Sequence, residues 1–127
     1  MVTPEEVAAR HPAPPVSESK IARLRVLAAD PNPKIRESVA SSYHAPSDVL
    51  EKLANDPDAG VRSWLARNET VSCDILRLLA DDVSETVRGF LAVNFFVPSD
   101  VMERLAHDES ETVRALVKWK SELALSS

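Results

Sequence analysis

The chain has 127 residues, of which 44% are hydrophobic and 28% are charged, and its formal net charge at pH 7 is −5. This is ordinary globular composition, and the length suits one domain with a buried core. The acidic balance argues against nucleic-acid binding, because a protein that neutralises phosphates needs a basic face.

The cysteine content and the N-terminal sequence both favour a cytoplasmic protein. Cys73 is the only cysteine, so no intrachain disulfide can form and a reducing compartment is the expectation. Residues 1–6 have neither the basic nor the apolar region of a signal peptide. No apolar run approaches the ~18–20 residues that cross a bilayer, so we expect no membrane segment.

Residues 1–19 are predicted to form a short N-terminal capping helix and a proline-rich connector. Thr3 and Glu6 have the spacing of a capping box, with proline at the first helical position between them. The run 12–15 contains three prolines, which end the helix because proline lacks the amide hydrogen. We expect the segment to cover the open end of a repeat array. A polyproline ligand is the alternative interpretation.

From residue 20 onward one pattern is written four times, with a constant step of 26 residues. A Leu-Ala pair, an aspartate and an arginine keep their relative positions in every unit. The aspartates are Asp30, Asp56, Asp82 and Asp108, and the arginines are Arg36, Arg62, Arg88 and Arg114. A fixed period of this length is typical of stacked repeats. The sequence therefore predicts a repeat domain at 20–127, with units 20–45, 46–71, 72–97 and 98–123 and a short tail.

Each unit is predicted to contain two short helices, which makes the fold all-α, an α-solenoid of four two-helix repeats. The first helix begins at a proline such as Pro46 or Pro98 and has apolar residues at i, i+1 and i+4. The second helix follows a residue that favours the N-cap position, and these residues are Asn32, Asp58, Ser84 and Ser110. Small alanines in both helices, including Ala106, would allow close approach. We expect 123–125 to fold back on the core.

The repeated aspartates and arginines are expected to form a structural ladder. Each arginine would reach a carboxylate or a carbonyl of its own unit or of the next one, and the two charges would satisfy each other's hydrogen bonds. A role in ligand binding is the less favoured interpretation. Asn68 and Asn94 are expected to close the second helices, because asparagine tolerates a left-handed turn and can bond neighbouring backbone. Lys118 and Lys120 replace alanine and asparagine and suit a terminal helix.

Positions that differ between units are the better candidates for binding. Two columns on the second helices lie off the apolar stripe, so we expect them to face solvent and to form a partner-binding surface. The first column is Glu37, Ser63, Gly89 and Ala115, and the second is Ser41, Arg67, Val93 and Trp119. The loop 95–97, Phe-Phe-Val, is expected to fill the core between units, with an exposed patch as the alternative.

No residue set indicates catalysis, a cofactor or a metal. His11, His44 and His107 lack metal-ligand spacing, and two glycines cannot build a phosphate-binding loop. Cys73 stands where other units have serine, in the first turn of a helix, so we interpret it as an incidental small residue although helix N-termini lower thiol pKa values. The sequence predicts no enzymatic activity.

The run Leu-Ala-x-Asp-x-x-x-x-x-Val-Arg, followed by an asparagine and a Pro-x-Asp-Val-Leu opening, resembles the leucine-rich repeat variant family over 20–123. That resemblance implies a right-handed superhelix of paired helices, of which one is often 3₁₀. The second half of each unit also resembles HEAT repeats, which would imply α-helix pairs. The short predicted helices favour the variant family. Members can carry a cysteine-ligated iron–sulfur cluster ahead of the repeats, but no cysteine precedes residue 73 here.

We therefore expect a non-enzymatic scaffold that binds a protein or peptide partner, without a cofactor. A nucleic-acid-binding HEAT-like module is the alternative, and it would need Arg62, Arg67, Arg88 and Arg114 to line one groove without compensating charge. A HEAT-like protein that handles a small molecule is a further alternative, and it would need a pocket with convergent polar groups.

Overall fold

The computed structural model describes residues 18–126, and it describes side chains for 18–123. This part of the chain is all-helical and contains no strand, as predicted. The capping helix predicted near residues 3–10 lies outside the described residues. The helices are α1 Glu18–Leu27, α2 Pro33–Ala40, α3 Ser47–Ala54, α4 Ala59–Arg67, α5 Cys73–Leu79, α6 Glu85–Ala92, α7 Ser99–Ala106 and α8 Glu111–Ser126.

The even-numbered helices begin directly after the four predicted N-cap residues. The side chain of Asn32 accepts a hydrogen bond from the Lys34 amide, and that of Asp58 accepts from the amides of Gly60 and Val61. The hydroxyl groups of Ser84 and Ser110 accept from the amides three residues later. Each cap satisfies amides that the first turn leaves without an intrahelical partner. The residue type changes from unit to unit, but the capping chemistry does not.

The prolines before α3 and α7 lie one residue earlier relative to the helix than predicted. Pro46 and Pro98 are the N-cap residues, with ψ values of 155° and 154°, and the helices begin at Ser47 and Ser99. Proline fixes φ near −65°, which fits the N-cap as well as the first turn. Their extended ψ places both residues outside the helix. Their carbonyls accept the first intrahelical bonds, from Val49 and Val101.

The helices pack in two layers. The even-numbered helices contact one another in the order α2, α4, α6 and α8, and each odd-numbered helix contacts the even-numbered helix that follows it. The core between the layers consists of the apolar stripes, with residues such as Val61, Leu65, Val87 and Leu91 fully buried. Residues 26 positions apart therefore lie on neighbouring helices of one layer.

Alanines lie where helices approach each other most closely. Ala40, Ala66 and Ala92 are completely buried in the even-numbered helices, where a larger side chain would push the helices apart. The Leu-Ala alanines of the first three units are buried as well. Ala106, the corresponding residue after Leu105, is exposed, so the prediction of close approach is wrong at that position.

Two further predictions about local structure are wrong. Helix α8 continues for 16 residues to Ser126, so 123–125 do not fold back. No proline or glycine interrupts residues 118–126, and Glu, Leu and Ala there favour continued helix. Asn68 has φ −76° and ψ 120°, and no residue in the described part of the chain has a positive φ. Its side chain bonds to the preceding unit instead, and this requires no left-handed turn.

Within residues 18–126, no helix combines the length and the apolar character that a bilayer crossing requires.

Candidate functional site

The repeated arginines connect consecutive units through carboxylates. Arg62 donates from Nε and Nη2 to the two carboxylate oxygens of Asp82, at 2.7 and 3.2 Å. Its Nη1 donates to the carbonyl of Asp56, the aspartate of its own unit, at 2.6 Å. Arg36 with Asp56 and Arg88 with Asp108 have the same geometry. We call this set of three pairs the arginine–aspartate ladder.

The ladder also fixes the turn before each even-numbered helix. Asp56, Asp82 and Asp108 each accept a hydrogen bond from the amide two residues later, at 2.8–2.9 Å. The hydrogen bond to Asp108 raises the pKa of Arg88 even though burial opposes the charge, and Asp56 raises the pKa of Arg36 in the same way. These groups are satisfied by one another, so they offer little to a ligand.

Arg114 differs from the other three arginines. Its Nη1 donates to the carbonyl of Asp108 at 2.5 Å, but no carboxylate of the described residues lies within ion-pair distance of it. The side chain is exposed. Arg114 therefore has the intra-unit contact of the ladder without the contact to a following unit.

Two buried asparagines form a second set of contacts between units. Asn94 donates from Nδ2 to the carbonyls of Ala66 and Asn68, at 2.9 and 3.4 Å, and its Oδ1 accepts from the Phe96 amide at 2.9 Å. Asn68 makes the corresponding contacts one unit earlier. These bonds satisfy carbonyls that the ends of the even-numbered helices would otherwise leave unpaired.

Lys120 occupies the same position in the repeat as Asn68 and Asn94, and it bonds backwards as they do. Its ammonium donates to the carbonyl of Asn94 and lies 5.4 Å from the centre of the Phe95 ring. Burial lowers its pKa. Lys118 is exposed and Lys120 is half-buried. Lys120 therefore makes the last of the contacts between units that Asn68 and Asn94 make earlier in the chain.

One of the two predicted binding columns is not a solvent-facing surface. Ser63 and Gly89 are buried, and Ser63 donates to the Ala59 carbonyl of its own helix. A Cβ atom on Gly89 would lie 3.4 Å from Leu116 on the next even-numbered helix. Glu37 is half-buried and pairs with Lys34. The prediction is wrong for Ser63 and Gly89 because neighbouring even-numbered helices approach each other there, whereas Ala115 is exposed.

The other column is open to solvent. Ser41, Arg67 and Trp119 are exposed and Val93 is half-buried. One turn away lie Trp64, which is 38% exposed, and Phe90 and Leu116, which are half-buried against the core. We call Trp64, Arg67, Phe90, Val93, Leu116 and Trp119 the even-helix strip. Sequence reasoning did not select Trp64, Phe90 and Leu116, although the column Ser38, Trp64, Phe90, Leu116 becomes apolar along the repeats.

Arg67 lies over the faces of two aromatic rings in the strip. Its guanidinium carbon is 4.2 Å from the centre of the Trp64 ring and 5.0 Å from that of Phe90, within the range of cation–π attraction. It forms no ion pair and donates no hydrogen bond to any residue in the described range 18–123. The rings therefore orient the charge, while its N–H groups donate to no acceptor in this range.

An apolar groove of about 320 Å³ lies beside Arg67, between α6 and α8. Gly89, Phe90, Val93 and Leu116 form its apolar part, and the polar residues Glu85, Thr86 and Thr112 also line it. Because glycine has no side chain, Gly89 does not fill this space. A smaller recess of about 170 Å³ between α2 and α4 is lined by Ser41, Tyr43, Trp64, Arg67 and Asn68.

The loop phenylalanines do not fill the core. Phe95 and Phe96 are 65% and 62% exposed, and only Val97 packs against the core. The expectation of core filling is therefore wrong for both rings. Asn94 holds the Phe96 amide, so the loop backbone is fixed close to the helix end and the aromatic side chains extend outward.

Cys73 and His107 lie at the ends of helices. Cys73 is exposed at the first residue of α5, and His107 bonds to the carbonyl of Glu103 in its own helix. The described part of the chain contains no group of three or more His, Cys, Asp or Glu residues that could hold a metal ion. His11 lies outside the described residues.

Searches against models of protein families, against curated proteins and against solved structures found no match to this chain. The function must therefore be inferred from the geometry above.

Proposed function

We propose that this chain is a non-enzymatic repeat scaffold that binds a protein or peptide partner along the even-helix strip. In this proposal the fold is a right-handed α-solenoid of four 26-residue, two-helix units, of the leucine-rich repeat variant type. The consecutive contacts of α2, α4, α6 and α8 support it, because each unit of a solenoid contacts mainly its neighbours. The single cysteine favours a cytoplasmic location.

The exposed aromatic strip around Arg67 is the observation that carries the functional proposal. Trp64 and Trp119 leave 38% and 49% of their surface in solvent, and Arg67 forms no ion pair with a described residue. Tryptophan and arginine dominate the energetics of protein–protein interfaces. An apolar groove next to them supplies the pocket in which a partner side chain can be desolvated.

The nucleic-acid alternative has less support because two of its four arginines are already neutralised. Arg62 and Arg88 bind Asp82 and Asp108 through two hydrogen bonds each. Of the four arginines that this alternative needs, Arg67 alone belongs to the strip. Arg67 and Arg114 have no carboxylate partner among the described residues, and two such cations on a chain with a net charge of −5 give little counterion release.

The small-molecule alternative has the groove between α6 and α8 as its candidate pocket. At about 320 Å³ it lies at the lower end of ligand-pocket sizes. Its polar residues, such as Glu85 and Thr112, lie on different helices. Among the described residues, no hydrogen bond joins these two side chains. We therefore rank this function below partner binding.

Affinity capture with a matched pair of double variants tests the proposal. Arg67→Glu with Trp119→Ala alters the even-helix strip, and Lys52→Glu with Leu78→Ala makes the same kinds of change on exposed residues of α3 and α5. We expect proteins captured by the unaltered chain to be lost with the first double variant and retained with the second. Circular dichroism and thermal melting establish that both variants are folded.

Each captured protein is then purified, and its binding to the three forms of the chain is measured by calorimetry. Equal affinity for the unaltered chain and the strip variant would show that the partner binds elsewhere, and the proposed surface would be wrong.

A further inference from the structure

The guanidinium of Arg67 has no carboxylate partner within residues 18–123. Six other arginines of the described part lie within 4.0 Å of a carboxylate: Arg25, Arg36, Arg62, Arg77, Arg88 and Arg104. Arg67 lies against Trp64 and Phe90 instead. A guanidinium held over aromatic rings keeps its planar fork of N–H donors available, and this fork matches a carboxylate through two parallel hydrogen bonds.

The apolar groove and the Arg67 guanidinium both contact Phe90. Phe90 lies 5.0 Å from the Arg67 guanidinium, and it also lines the groove together with Val93 and Leu116. A partner that fills the groove with an apolar side chain therefore passes next to Arg67. Neighbouring packed helices lie about 8–10 Å apart, so the two features are separated by roughly one helix spacing or less.

We propose, building on the scaffold function above, that the even-helix strip recognises an acidic peptide segment. An aspartate or glutamate of the partner pairs with Arg67, and a bulky aliphatic side chain on the same face of the partner enters the groove between α6 and α8. In an extended segment, side chains two residues apart share a face and lie about 7 Å apart. On a helix, side chains three or four residues apart are neighbours.

Charge and desolvation together favour this partner over an uncharged or a basic one. A basic segment would meet Arg67 with like charge. A wholly apolar segment would cover the guanidinium without supplying an acceptor, and a buried donor without a partner weakens binding. A partner carboxylate accepts hydrogen bonds from the guanidinium. Trp64 and Phe90 already restrict the Arg67 side chain, so little of its conformational freedom is lost on binding.

Selection from a random peptide library on phage tests the inference. The unaltered chain and its Arg67→Glu variant are each used as bait, and Lys52→Glu on α3 serves as the control for a change of net charge. We expect the unaltered chain and the control to select peptides in which Asp or Glu occurs two to four residues from Leu, Ile or Met. The Arg67→Glu variant should select Lys or Arg at the acidic position.

A charge exchange on one synthetic peptide makes the test quantitative. Replacing its acidic residue by lysine should weaken binding to the unaltered chain by about tenfold or more, and Arg67→Glu should restore binding of that lysine peptide. Replacing the aliphatic residue by alanine should weaken binding to both forms. The intrinsic fluorescence of Trp64 and Trp119 reports the titration.

The two proposals can fail separately. Selected peptides that lose binding to the Arg67→Glu, Trp119→Ala variant but show no enrichment of Asp or Glu would overturn the acidic preference and leave the strip as a binding surface. A library that yields no binder, or binders indifferent to both substitutions, would overturn both proposals.

Discussion

Arg88 and Asp108 lie 20 residues apart in the chain and form a two-point ion pair between α6 and the turn before α8, at 2.8 and 3.2 Å. Both side chains are more than nine-tenths buried, with 8% and 7% exposed. The pair therefore contributes to stability, because removing either partner leaves the other charge buried without a partner.

We expect Arg88→Ala to lower the free energy of unfolding by about 3 kcal/mol, the range found when one partner of a buried ion pair is removed. Arg114→Ala is the matched control, because Arg114 has the equivalent carbonyl contact but no described carboxylate partner. Its loss should cost about 1 kcal/mol or less. Urea denaturation of both variants measures the difference. Equal losses would mean that the carbonyl contact, and not the ion pair, determines the contribution of these arginines.

Asn94 should be the most sensitive of the polar residues that are not charged. Asn94→Ala leaves the carbonyls of Ala66 and Asn68 and the amide of Phe96 without their partner, and we expect a loss of about 2 kcal/mol. Asn55→Ala is the comparison, because Asn55 is exposed and its side chain donates to the carbonyl of Glu51 in α3, the helix that ends just before it. That change should stay within about 0.5 kcal/mol. A similar melting temperature for both variants would argue against the asparagine contacts as a stabilising set.

Stability should depend on the titration of Lys120. Burial lowers its pKa, so between the folded and the unfolded pKa the unfolded chain binds more protons, and the free energy of unfolding rises with pH. Relative to Lys120→Met, the unaltered chain should therefore gain stability as pH rises towards about 10.4, the usual lysine pKa. Thermal melts at several pH values measure this difference. A difference that does not change with pH, or that falls as pH rises, would rule out burial of Lys120 as the cause.

The two glycines should respond differently to alanine. A Cβ on Gly89 meets Leu116 at 3.4 Å, an ordinary contact, so Gly89→Ala in the middle of α6 should stabilise the protein by about 0.5–1 kcal/mol through helix propensity. A Cβ on Gly60 would lie 2.5 Å from Oε1 of Glu37 and 2.8 Å from Oδ1 of Asp58. Because Asp58 caps α4, Gly60→Ala should give no such gain. Chemical denaturation distinguishes them, and a gain at both positions would contradict the packing described around α4.

Much of the helical framework could be predicted because local chemistry determines it. The N-cap residues Asn32, Asp58, Ser84 and Ser110 repeat every 26 residues, and a cap acts within the next three residues, a range that the sequence displays directly. The aspartates and arginines could be grouped for the same reason. The sequence could not show which aspartate each group of Arg62 contacts. Asp56 and Asp82 both lie at a fixed spacing from Arg62, and only the structure shows that the carboxylate comes from Asp82 and the carbonyl from Asp56.

The proposed binding surface was harder to predict because its exposure depends on how helices approach one another. Ser63 and Gly89 lie off the apolar stripe of their helices, yet the neighbouring even-numbered helix covers them. Trp64 and Phe90 lie beside the same stripe and remain accessible. Which of two adjacent positions is covered depends on the lateral offset of packed helices, and no periodicity in the sequence reports it. The outward course of Phe95 and Phe96 likewise depends on Asn94 bonding to a distant carbonyl.

Each pair of the arginine–aspartate ladder joins one unit to the next unit, and the three pairs share one geometry. In the proposed stack, an excision of residues 72–97 would bring Arg62 to Asp108 in the same relation that it now has to Asp82. The protein's length would then be adjustable in whole modules, and an evolutionary or engineered duplication could add binding surface without redesigning any junction.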